Sequence, residues 1–194
     1  MEIESRKENN TKRMEAPKAG FYARRVKRPM DFLLALIALI VLSPLLLTVA
    51  VLVGIKLGRP VIFQQERPGL HEKIFTLYKF RTMIKDAEKY TGPVWAEKSD
   101  PRITRMGRFM RRVRLDEFPQ CINVLKGDMS LVGPRPERPY FVEKLKEEYP
   151  YYTRRLKVKP GITGWAQVKG EYDTSIENVR EKLQYDLYYI ENMS

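Results

Sequence analysis

A run of 24 uncharged residues, FLLALIALIVLSPLLLTVAVLVGI, fills positions 32 to 55 and limits the possible folds more than any other feature. As a single α-helix the run would extend about 36 Å, whereas the hydrocarbon core of a bilayer is about 30 Å thick. A cleavable signal peptide fits poorly, because about thirty mostly polar residues precede the run and no small-residue cleavage site follows it. The run therefore predicts a permanent membrane anchor.

The dipeptide Ser43-Pro44 lies near the midpoint of this run. Proline removes a backbone donor from a helix and clashes with the preceding turn, and a serine hydroxyl can satisfy the carbonyl that is left free. A kinked spanning helix and a helix-break-helix hairpin that returns to the same membrane face both fit this pattern. Basic residues flank the run on both sides: Arg24, Arg25, Lys27, Arg28, Lys56, Arg59 and Arg67. Because positively charged flanks are typical of the cytoplasmic side, this symmetry favours the re-entrant hairpin.

The remaining sequence has the composition of a folded domain. With 43% apolar and 31% charged residues among 194, the chain is long and apolar enough for one domain with a core. The net charge of +12 predicts an anionic partner, which charge alone leaves open between nucleic acid, an acidic membrane surface and a phosphorylated small molecule. The single cysteine, Cys121, and the single histidine, His71, argue against a disulfide, a zinc cluster and a histidine-centred triad.

Composition and periodicity divide the chain into three parts. Residues 1 to 20 predict a flexible polar tail, residues 21 to 58 a membrane segment with basic flanks, and residues 59 to 194 a folded domain. The expected fold class is α+β and helix-rich, with a short β-hairpin in a small domain beside the membrane.

The hairpin is predicted directly after the membrane segment. Val61 to Gln65 and Ile74 to Phe80 have the residue pattern of two strands joined by a turn. This arrangement puts Lys79 and Arg81 at the end of the second strand. Residues 85 to 101, which follow the hairpin, are predicted to form a polar loop.

Two adjacent acids, Asp116 and Glu117, follow a dense run of arginines in RFMRRVRLDEFPQ. Six of the thirteen residues from Arg102 to Arg114 are arginines, and helical spacing gives this segment a cationic and an apolar face, which predicts an amphipathic helix. A second helix is predicted from Gln120 to Lys126 and ends at Gly127. The acids then lie just before a helix N-terminus, where a carboxylate and a phosphate are stabilised equally well.

The local pattern leaves the role of the two acids open. Surface charges usually pair or stay solvated, so the acids could simply neutralise part of the arginine run. Arg135 in GDMSLVGPRPERP lies between two prolines that hold it in an extended turn, which makes it a candidate phosphate clamp. Further helices are predicted from Tyr140 to Tyr149 and from about Ile176 to Ile190, and KVKPGITGWAQVKG predicts a turn, a short apolar segment and a turn.

Several blocks in order resemble the bacterial sugar transferases of the monotopic phosphoglycosyl transferase superfamily. They are the basic-then-apolar entry with Ser43-Pro44, ERPGLHEKIFTLYKFRTM, LDEFPQCINVLKGDMSLVGPRP, KPGITGWAQVKG and YDLYYIEN, between about Val26 and Asn192. The resemblance implies a re-entrant helix-break-helix that holds a catalytic domain with amphipathic interfacial helices at the cytoplasmic face of the bacterial inner membrane. Relatives commonly continue after YIEN with another apolar stretch, and longer members carry extra membrane helices, so a minimal architecture is expected.

The resemblance also implies an activity. A sugar 1-phosphate would move from a UDP-sugar to undecaprenyl phosphate, with UMP as by-product, as the first membrane step of exopolysaccharide, capsule, O-antigen or glycoprotein synthesis. Asp116 would be the nucleophile of a phosphosugar-aspartyl intermediate and Glu117 its partner beside a magnesium ion, so that both acids are candidate metal ligands. The sequence GPRPERPYF, which is this chain's form of one of the family blocks, suggests by resemblance that the transferred sugar is a hexose. An ionised aspartate approaches a diphosphate only where fixed positive charge offsets the repulsion, and the same charge should keep Asp116 ionised at neutral pH.

By motif position, the resemblance puts substrate-binding groups on Arg111, Arg135, Lys159 and Asp186, and the strand end adds Lys79 and Arg81. A lysine at position 159, where relatives can carry arginine, supplies a point charge and not a two-pronged donor. Each of these residues also has a structural explanation. Arg111 could only pair with an acid, Arg135 could only hold a turn, and Asp186 could be a structural acid in a helix.

Two other functions compete with this one. A membrane-tethered nucleic-acid binder would use the positive charge, with 11 tyrosines and eight phenylalanines to stack on bases, but it leaves the acid pair unexplained, so no nucleic acid is expected. A membrane-anchored phosphohydrolase would use the same acids, arginines and magnesium with water in place of the lipid acceptor. The sugar, the pathway and a homodimer are left open by the sequence.

Overall fold

The computed structural model describes residues 20–89, 92, 94, 100–169 and 176–193. These residues form one long helix, several short helices and two sheets of two strands each. The helix-rich α+β fold with a short hairpin is confirmed. The flexible tail predicted for residues 1 to 20 lies outside the described residues, apart from Gly20.

Helix α1 extends from Lys27 to Leu57 and follows a π-helical turn, Tyr22–Val26. Within the described residues it is the one helix that is long and apolar enough to cross a membrane. Helical backbone continues through Pro44, so the predicted division into two helices is wrong. The Ser43 hydroxyl donates to the Ile40 carbonyl oxygen over 2.8 Å, and this is the carbonyl that Pro44 leaves without its usual donor. The role predicted for the serine is therefore confirmed.

Both ends of α1 are tied to the same domain. Near the N-terminal end, the Arg28 guanidinium donates to the carbonyl oxygens of Val124 and Leu125. At the C-terminal end, the Arg81 guanidinium donates to three successive carbonyl oxygens, at residues 57–59. The domain thus binds α1 near both of its ends.

The middle of α1 is largely exposed. None of residues 40–48 is buried, and the side chains of Val41 and Leu47 are each 68% exposed. By contrast, Ala35 in the first half and Val53 in the second half are fully buried against the domain. The helix therefore packs on the domain towards both ends and presents an apolar middle outwards.

Strands β1, Ile62–Pro68, and β2, Ile74–Phe80, form an antiparallel hairpin. This confirms the predicted hairpin, although β1 continues past Gln65 to Pro68. Lys79 and Arg81 lie at the end of β2, as expected from the sequence.

Helix α3, Gln120–Lys126, has the predicted bounds and ends at Gly127, whose φ of 92° lies in the left-handed region that favours glycine. Its fully buried Asn123 attaches the helix to β2. The Asn123 side-chain oxygen accepts a hydrogen bond from the Tyr78 amide at 3.1 Å, and its amide nitrogen donates to the Thr76 carbonyl at 2.7 Å. The Asn123 side chain thus makes two hydrogen bonds to the backbone of β2, as a neighbouring strand would.

A second sheet pairs strand β3, Ser130–Val132, with strand β4, Gly161–Thr163, in parallel. The sequence did not predict this sheet. A side chain at Gly161 would overlap the Gly133 backbone, so the two segments approach as closely as glycine allows. Their pairing brings the loop that follows β3 against the segment that precedes β4.

Helix α2, Arg105–Arg112, is shorter than the predicted span from Arg102 to Arg114. Thr104 caps its N-terminus, because the Thr104 hydroxyl accepts a hydrogen bond from the amide of Gly107 at 3.0 Å. The preceding Ile103 forms an isolated β-bridge with Met83 instead of the first helical turn.

The C-terminal part of the domain is helical. Helices α4, Pro139–Glu148, and α6, Ile176–Asn192, agree with the predicted helices to within one or two residues at each end. A 3₁₀-helix, Tyr152–Lys157, lies between them and shares their buried core. Helix α5, Trp165–Lys169, occupies a segment that was predicted as a turn and a short apolar stretch, so that prediction is wrong.

Candidate active site

Asp116 and Glu117 occupy a single 3₁₀ turn, Leu115–Glu117, between α2 and α3. The turn is preceded by Arg114 with φ 58°, a left-handed conformation that reverses the chain. The predicted junction between two helices is therefore confirmed. Both acids are nevertheless buried, with 5% and 6% of their surface exposed, which is unusual for unpaired surface charges.

The two acids lie in the wall of a cleft of about 1170 Å³. Among the described residues, five acids line this cleft, against twelve basic residues: Arg67, Lys79, Arg81, Lys85, Lys89, Arg108, Arg111, Arg112, Arg114, Arg135, Arg138 and Lys182. Small-molecule sites commonly measure about 300–1,000 Å³, so the cleft has room for a ligand of that class. Its charge favours an anionic ligand.

Glu117 is held by a two-pronged contact with Arg135. The Arg135 guanidinium donates to the two carboxylate oxygens of Glu117 at 2.6 Å and 3.3 Å, and an Arg114 nitrogen lies 3.7 Å away. Burial alone would raise the pKa of Glu117, but the charge and hydrogen bonds of Arg135, with smaller effects from Lys79 and Arg114, hold this pKa below its usual value. Glu117 is therefore a carboxylate at neutral pH.

Asp116 has a different environment from its neighbour. Burial, followed by the charge of Glu117, raises the pKa of Asp116, and the charges of Lys79 and Arg111 only partly oppose this. The nearby positive charge therefore acts in the predicted direction, but burial, which the sequence does not reveal, has the larger effect on this pKa. Within the described part of the chain, the Asp116 oxygen Oδ1 is buried without a hydrogen-bond partner. The pair thus combines a stabilised carboxylate with a destabilised one.

Lys79 faces both acids from the end of β2. Burial, together with the charges of Arg135 and Arg67, lowers the pKa of Lys79 to about 7, against the opposing effect of the two carboxylates. An entering phosphate group would favour the charged form of this lysine. Lys79 therefore lies at the strand end that the sequence predicted, and it lines the cleft that also holds Asp116.

Arg111 lines the cleft from the last turn of α2. Its Nε donates to the Thr82 hydroxyl at 2.9 Å, which orients the guanidinium. Burial lowers the pKa of Arg111, and the charge of Asp116 is the strongest opposing influence. The structure therefore brings together four of the predicted site residues besides Glu117: Asp116, Lys79, Arg111 and Arg135.

Arg81 and Lys159 were also predicted to bind substrate, and the structure places them differently from each other. Arg81 lies in the cleft wall, and its guanidinium donates to the carbonyls of residues 57–59 at the C-terminal end of α1. Lys159 lies outside the cleft. A side-chain carbon on Gly127 would meet an Arg28 nitrogen at 3.3 Å and the Lys159 ammonium at 3.7 Å, so Lys159 is beside the entry to α1.

Asp186 also lies outside the cleft. It is 3% exposed, and its Oδ2 accepts from Nε of Arg155 at 2.9 Å and lies 2.7 Å from Nη2 of the same side chain. Its carboxylate is therefore bound by a buried arginine, and its contact with substrate stays a prediction. Motif position identified a charged residue that is buried near the site, but not which neighbour it binds.

Asp116 and Glu117 are the candidate ligands for a magnesium ion. Among the described residues, no group of three or more acid, histidine or cysteine side chains could hold a metal. Magnesium usually takes one or two carboxylates and completes its shell with substrate phosphates and water. The pair fits such a shared site, since Oδ1 of Asp116 has no other partner among the described groups.

Two arginines near the site, Arg67 and Arg155, were not predicted as site residues. Arg67, on β1, donates to the Pro136 carbonyl at 3.0 Å, and Arg155 donates to the Arg135 carbonyl at 2.8 Å. The sequence around each of them contains no motif or spacing that indicates a role at the site. Their contacts arise because β1 and the 3₁₀-helix approach the proline-rich loop, residues 134–138, whose backbone the two arginines hold.

Fold and cleft together define a small domain that is attached to a long apolar helix and carries an acid pair in a basic cleft. The profile of the bacterial sugar transferase family matches residues 22–194. The chain belongs to this family.

Three relatives show how far the similarity extends. A putative undecaprenyl-phosphate N-acetylgalactosaminyl 1-phosphate transferase of Bacillus subtilis is 53% identical over 68% of this chain and 73% of its own length. A UDP-N-acetylgalactosamine-undecaprenyl-phosphate N-acetylgalactosaminephosphotransferase of Aeromonas hydrophila is 47% identical over 87% of this chain and 40% of its own length. A UDP-glucose:undecaprenyl-phosphate glucose-1-phosphate transferase of Escherichia coli is 44% identical over 88% and 37%, respectively. The chain thus spans about two fifths of the length of the last two relatives.

Proposed function

We propose that this chain transfers a sugar 1-phosphate from a UDP-sugar to undecaprenyl phosphate and releases UMP. The observation that carries the proposal is the pairing of a destabilised, buried Asp116 with a Glu117 that Arg135 holds in place, inside a basic cleft. Such a pair is costly for stability and is expected where chemistry requires it. The family and the names of the three relatives support the same reaction class.

The proposed reaction has two steps at one phosphorus atom. A carboxylate oxygen of Asp116 attacks the β-phosphorus of the UDP-sugar, and the bond from this phosphorus to the bridging oxygen breaks, so that the electron pair leaves with UMP. A phosphate oxygen of undecaprenyl phosphate then attacks the same phosphorus, and the Asp116 carboxylate leaves. Dividing the transfer in this way lets a soluble donor and a lipid acceptor use the site in turn.

The residues around Asp116 have separate tasks in this scheme. Arg135 and Arg111 supply fixed positive charge at the diphosphate, where negative charge shifts towards the leaving UMP. Lys79, with its pKa of about 7, becomes fully charged when the phosphates enter. Burial of Asp116 leaves its carboxylate poorly hydrated, so that less solvation is lost on attack.

Asp116 and Glu117 would hold a magnesium ion together with the donor phosphates. The ion, when bound, would neutralise charge on the phosphate oxygens. Glu117 would contribute one oxygen while keeping its contact with Arg135.

The donor sugar is proposed to be a hexose, as the sequence suggested. The names printed for the three relatives include both glucose and N-acetylgalactosamine, so they support a UDP-hexose or UDP-N-acetylhexosamine without choosing between them. The product would begin a surface glycan.

A re-entrant α1 at the cytoplasmic face of the inner membrane completes the proposal. A folded domain on one side of a bilayer cannot bind both ends of a spanning helix, and here both ends of α1 are bound by one domain. The apolar middle at residues 40–48 would then enter the lipid from one face, with Ser43 satisfying the carbonyl that Pro44 frees. The exposed Phe109 on α2 and the adjacent Val113 would lie in the interface.

Thiol labelling should put both ends of α1 on the cytoplasmic face. In a Cys121→Ser background, Phe21→Cys and Lys73→Cys each present an exposed thiol, one before α1 and one in the hairpin turn. A membrane-impermeant reagent should label neither variant in intact cells and both in inverted vesicles. Labelling of position 21 alone in intact cells would mean that α1 spans. Changing both Ser43 and Pro44 to leucine should move position 21 towards that spanning pattern.

UMP release identifies the reaction. Purified protein with magnesium should release UMP from a UDP-sugar in amounts that match the undecaprenyl-diphosphate-sugar formed when undecaprenyl phosphate is present. Without the lipid, release should stop near one UMP per protein. Continued release of UMP and free sugar phosphate without lipid would instead identify a phosphohydrolase and contradict the proposed acceptor.

A further inference from the structure

The loop that carries Arg135 is held through its carbonyl groups. Three successive carbonyl oxygens accept hydrogen bonds: Pro134 from the Gly161 amide at 2.9 Å, Arg135 from Nη2 of Arg155 at 2.8 Å, and Pro136 from Nη1 of Arg67 at 3.0 Å. Prolines have no backbone N–H, so residues 134 and 136 cannot be fixed by donating to a strand. Fixing this loop therefore depends on donors that come to it from elsewhere.

Arg155 is the side-chain donor of this group in which every nitrogen atom has a partner. It is buried, with 8% of its surface exposed. Nε bonds to Asp186, Nη1 bonds to the Tyr152 hydroxyl at 2.6 Å, and Nη2 lies between Asp186 and the Arg135 carbonyl. A buried guanidinium is stable only when an acid compensates its charge, and Asp186 provides that acid. The three partners together fix the plane of the guanidinium.

Arg135 connects Arg155 to the acid pair. The backbone of Arg135 receives the Arg155 hydrogen bond, and its side chain donates both prongs to Glu117. A two-pronged contact depends on orientation, because a small rotation of the loop removes one of the two hydrogen bonds. The position of the Arg135 guanidinium thus depends on a residue that does not line the cleft.

We propose that Arg155, held by Asp186, is a positioning residue that sets Arg135 on Glu117. The inference rests on the proposed function for its kinetic consequence. It gives Asp186 a task that needs no contact with substrate, and it predicts that the effect of changing Arg155 passes through Arg135.

A purely structural role would be to fasten α6 to the 3₁₀-helix. The neighbouring pair Arg154 and Glu191 makes that same connection, with 3.1 Å between nitrogen and oxygen, and among the described residues it makes no hydrogen bond to the proline-rich loop. Arg154 and Arg155 therefore form a matched pair of adjacent, buried arginines on one element. Of these two arginines, only Arg155 is bonded to Arg135.

The kinetic test compares Arg155→Lys with Arg154→Lys. Lysine keeps the charge but cannot reach Asp186, Tyr152 and the Arg135 carbonyl at once, so Arg155→Lys should lower kcat/KM for UMP release about 100-fold, as a small misplacement near a reacting centre can. Arg154→Lys should stay near wild type. In an Arg135→Ala background, Arg155→Lys should cost no more than about threefold further, because changes that act through one group are not additive. A full second loss in that background would overturn the proposal.

A spectroscopic test keeps the inference separate from the activity. The Nε–Hε resonance of Arg135, assigned by its loss in Arg135→Ala, should move towards that of a solvent-exposed arginine in Arg155→Lys and stay in place in Arg154→Lys. Tyr152→Phe removes only one hydroxyl and should move the Arg135 resonance in the same direction. This variant replaces Arg155→Lys in the test if Arg155→Lys does not fold. A resonance that is unchanged in the Arg155 and Tyr152 variants would refute the positioning role. Wild-type protein without UMP release would refute the proposed function instead.

Discussion

Asp116→Asn is expected to abolish both sugar-phosphate transfer and covalent labelling by the donor. An amide is neither charged nor a competent nucleophile, so kcat should fall by more than about 10⁴-fold. The fold should survive the change. Burial raises the pKa of Asp116, which means that the ionised form is less stable in the folded protein than in the unfolded chain. Stability from this group is present at low pH and is lost as pH rises towards the folded pKa, so removing the charge at neutral pH should not lower the melting temperature.

The control for this variant is Asp128→Asn, which changes an acid at the other end of α3 and outside the cleft. Both variants should melt near the wild-type temperature, and only Asp116→Asn should be inactive. Transfer at a wild-type rate by Asp116→Asn, or labelling retained at another residue, would remove Asp116 from the mechanism.

Arg135→Ala is the second change with a large expected effect. It removes the positive charge that faces the donor phosphates and leaves Glu117 buried without its main partner. We expect kcat/KM to fall about 10²- to 10³-fold, the usual loss when one preorganised donor is removed. Arg135→Lys should recover only part of this, because an ammonium cannot reproduce both prongs. Initial rates of UMP release over a range of donor concentrations measure the effect.

Arg138 supplies the matched control in the same loop. Its guanidinium pairs with Glu88 across the cleft, whereas the described partners of Glu117 are Arg135 and Arg114. Arg138→Ala should therefore lower kcat/KM by much less than Arg135→Ala does. Equal losses would show that Arg135 contributes only to the general positive charge of the cleft.

Local sequence signals account well for the elements that stand beside the acid pair. Helix α3 was predicted with its observed bounds, because Gly127 marks its end and apolar spacing marks its length. The hairpin and the position of Lys79 were likewise set by a pattern within 20 residues. The junction that holds Asp116 and Glu117 follows from these neighbours.

Long-range packing decided what could not be predicted. The pairing of β3 with β4 joins segments 31 residues apart through glycine contacts that leave no local periodicity. The burial that raises the pKa of Asp116 comes from the whole surrounding fold, whereas the sequence shows only the arginines near it. The division of α1 at Pro44 was predicted from a local rule, but the Ser43 hydroxyl lets the helix continue.

Motif matching located charged positions without showing their contacts. Asp186 binds Arg155, Arg81 binds the carbonyls that follow α1, and Lys159 lies beside Arg28. All three were predicted to bind substrate. Their structural partners come from other parts of the chain, and a sequence does not state which of its arginines and acids will meet.

The covalent mechanism is tested most directly by the mass of the protein after brief reaction with a UDP-sugar and magnesium in the absence of lipid. We expect one sugar-phosphate adduct per chain, located by fragmentation at Asp116, formed together with one UMP, and lost when undecaprenyl phosphate is added. A protein that transfers sugar phosphate only when both substrates are present, and that never carries an adduct at Asp116, would contradict it.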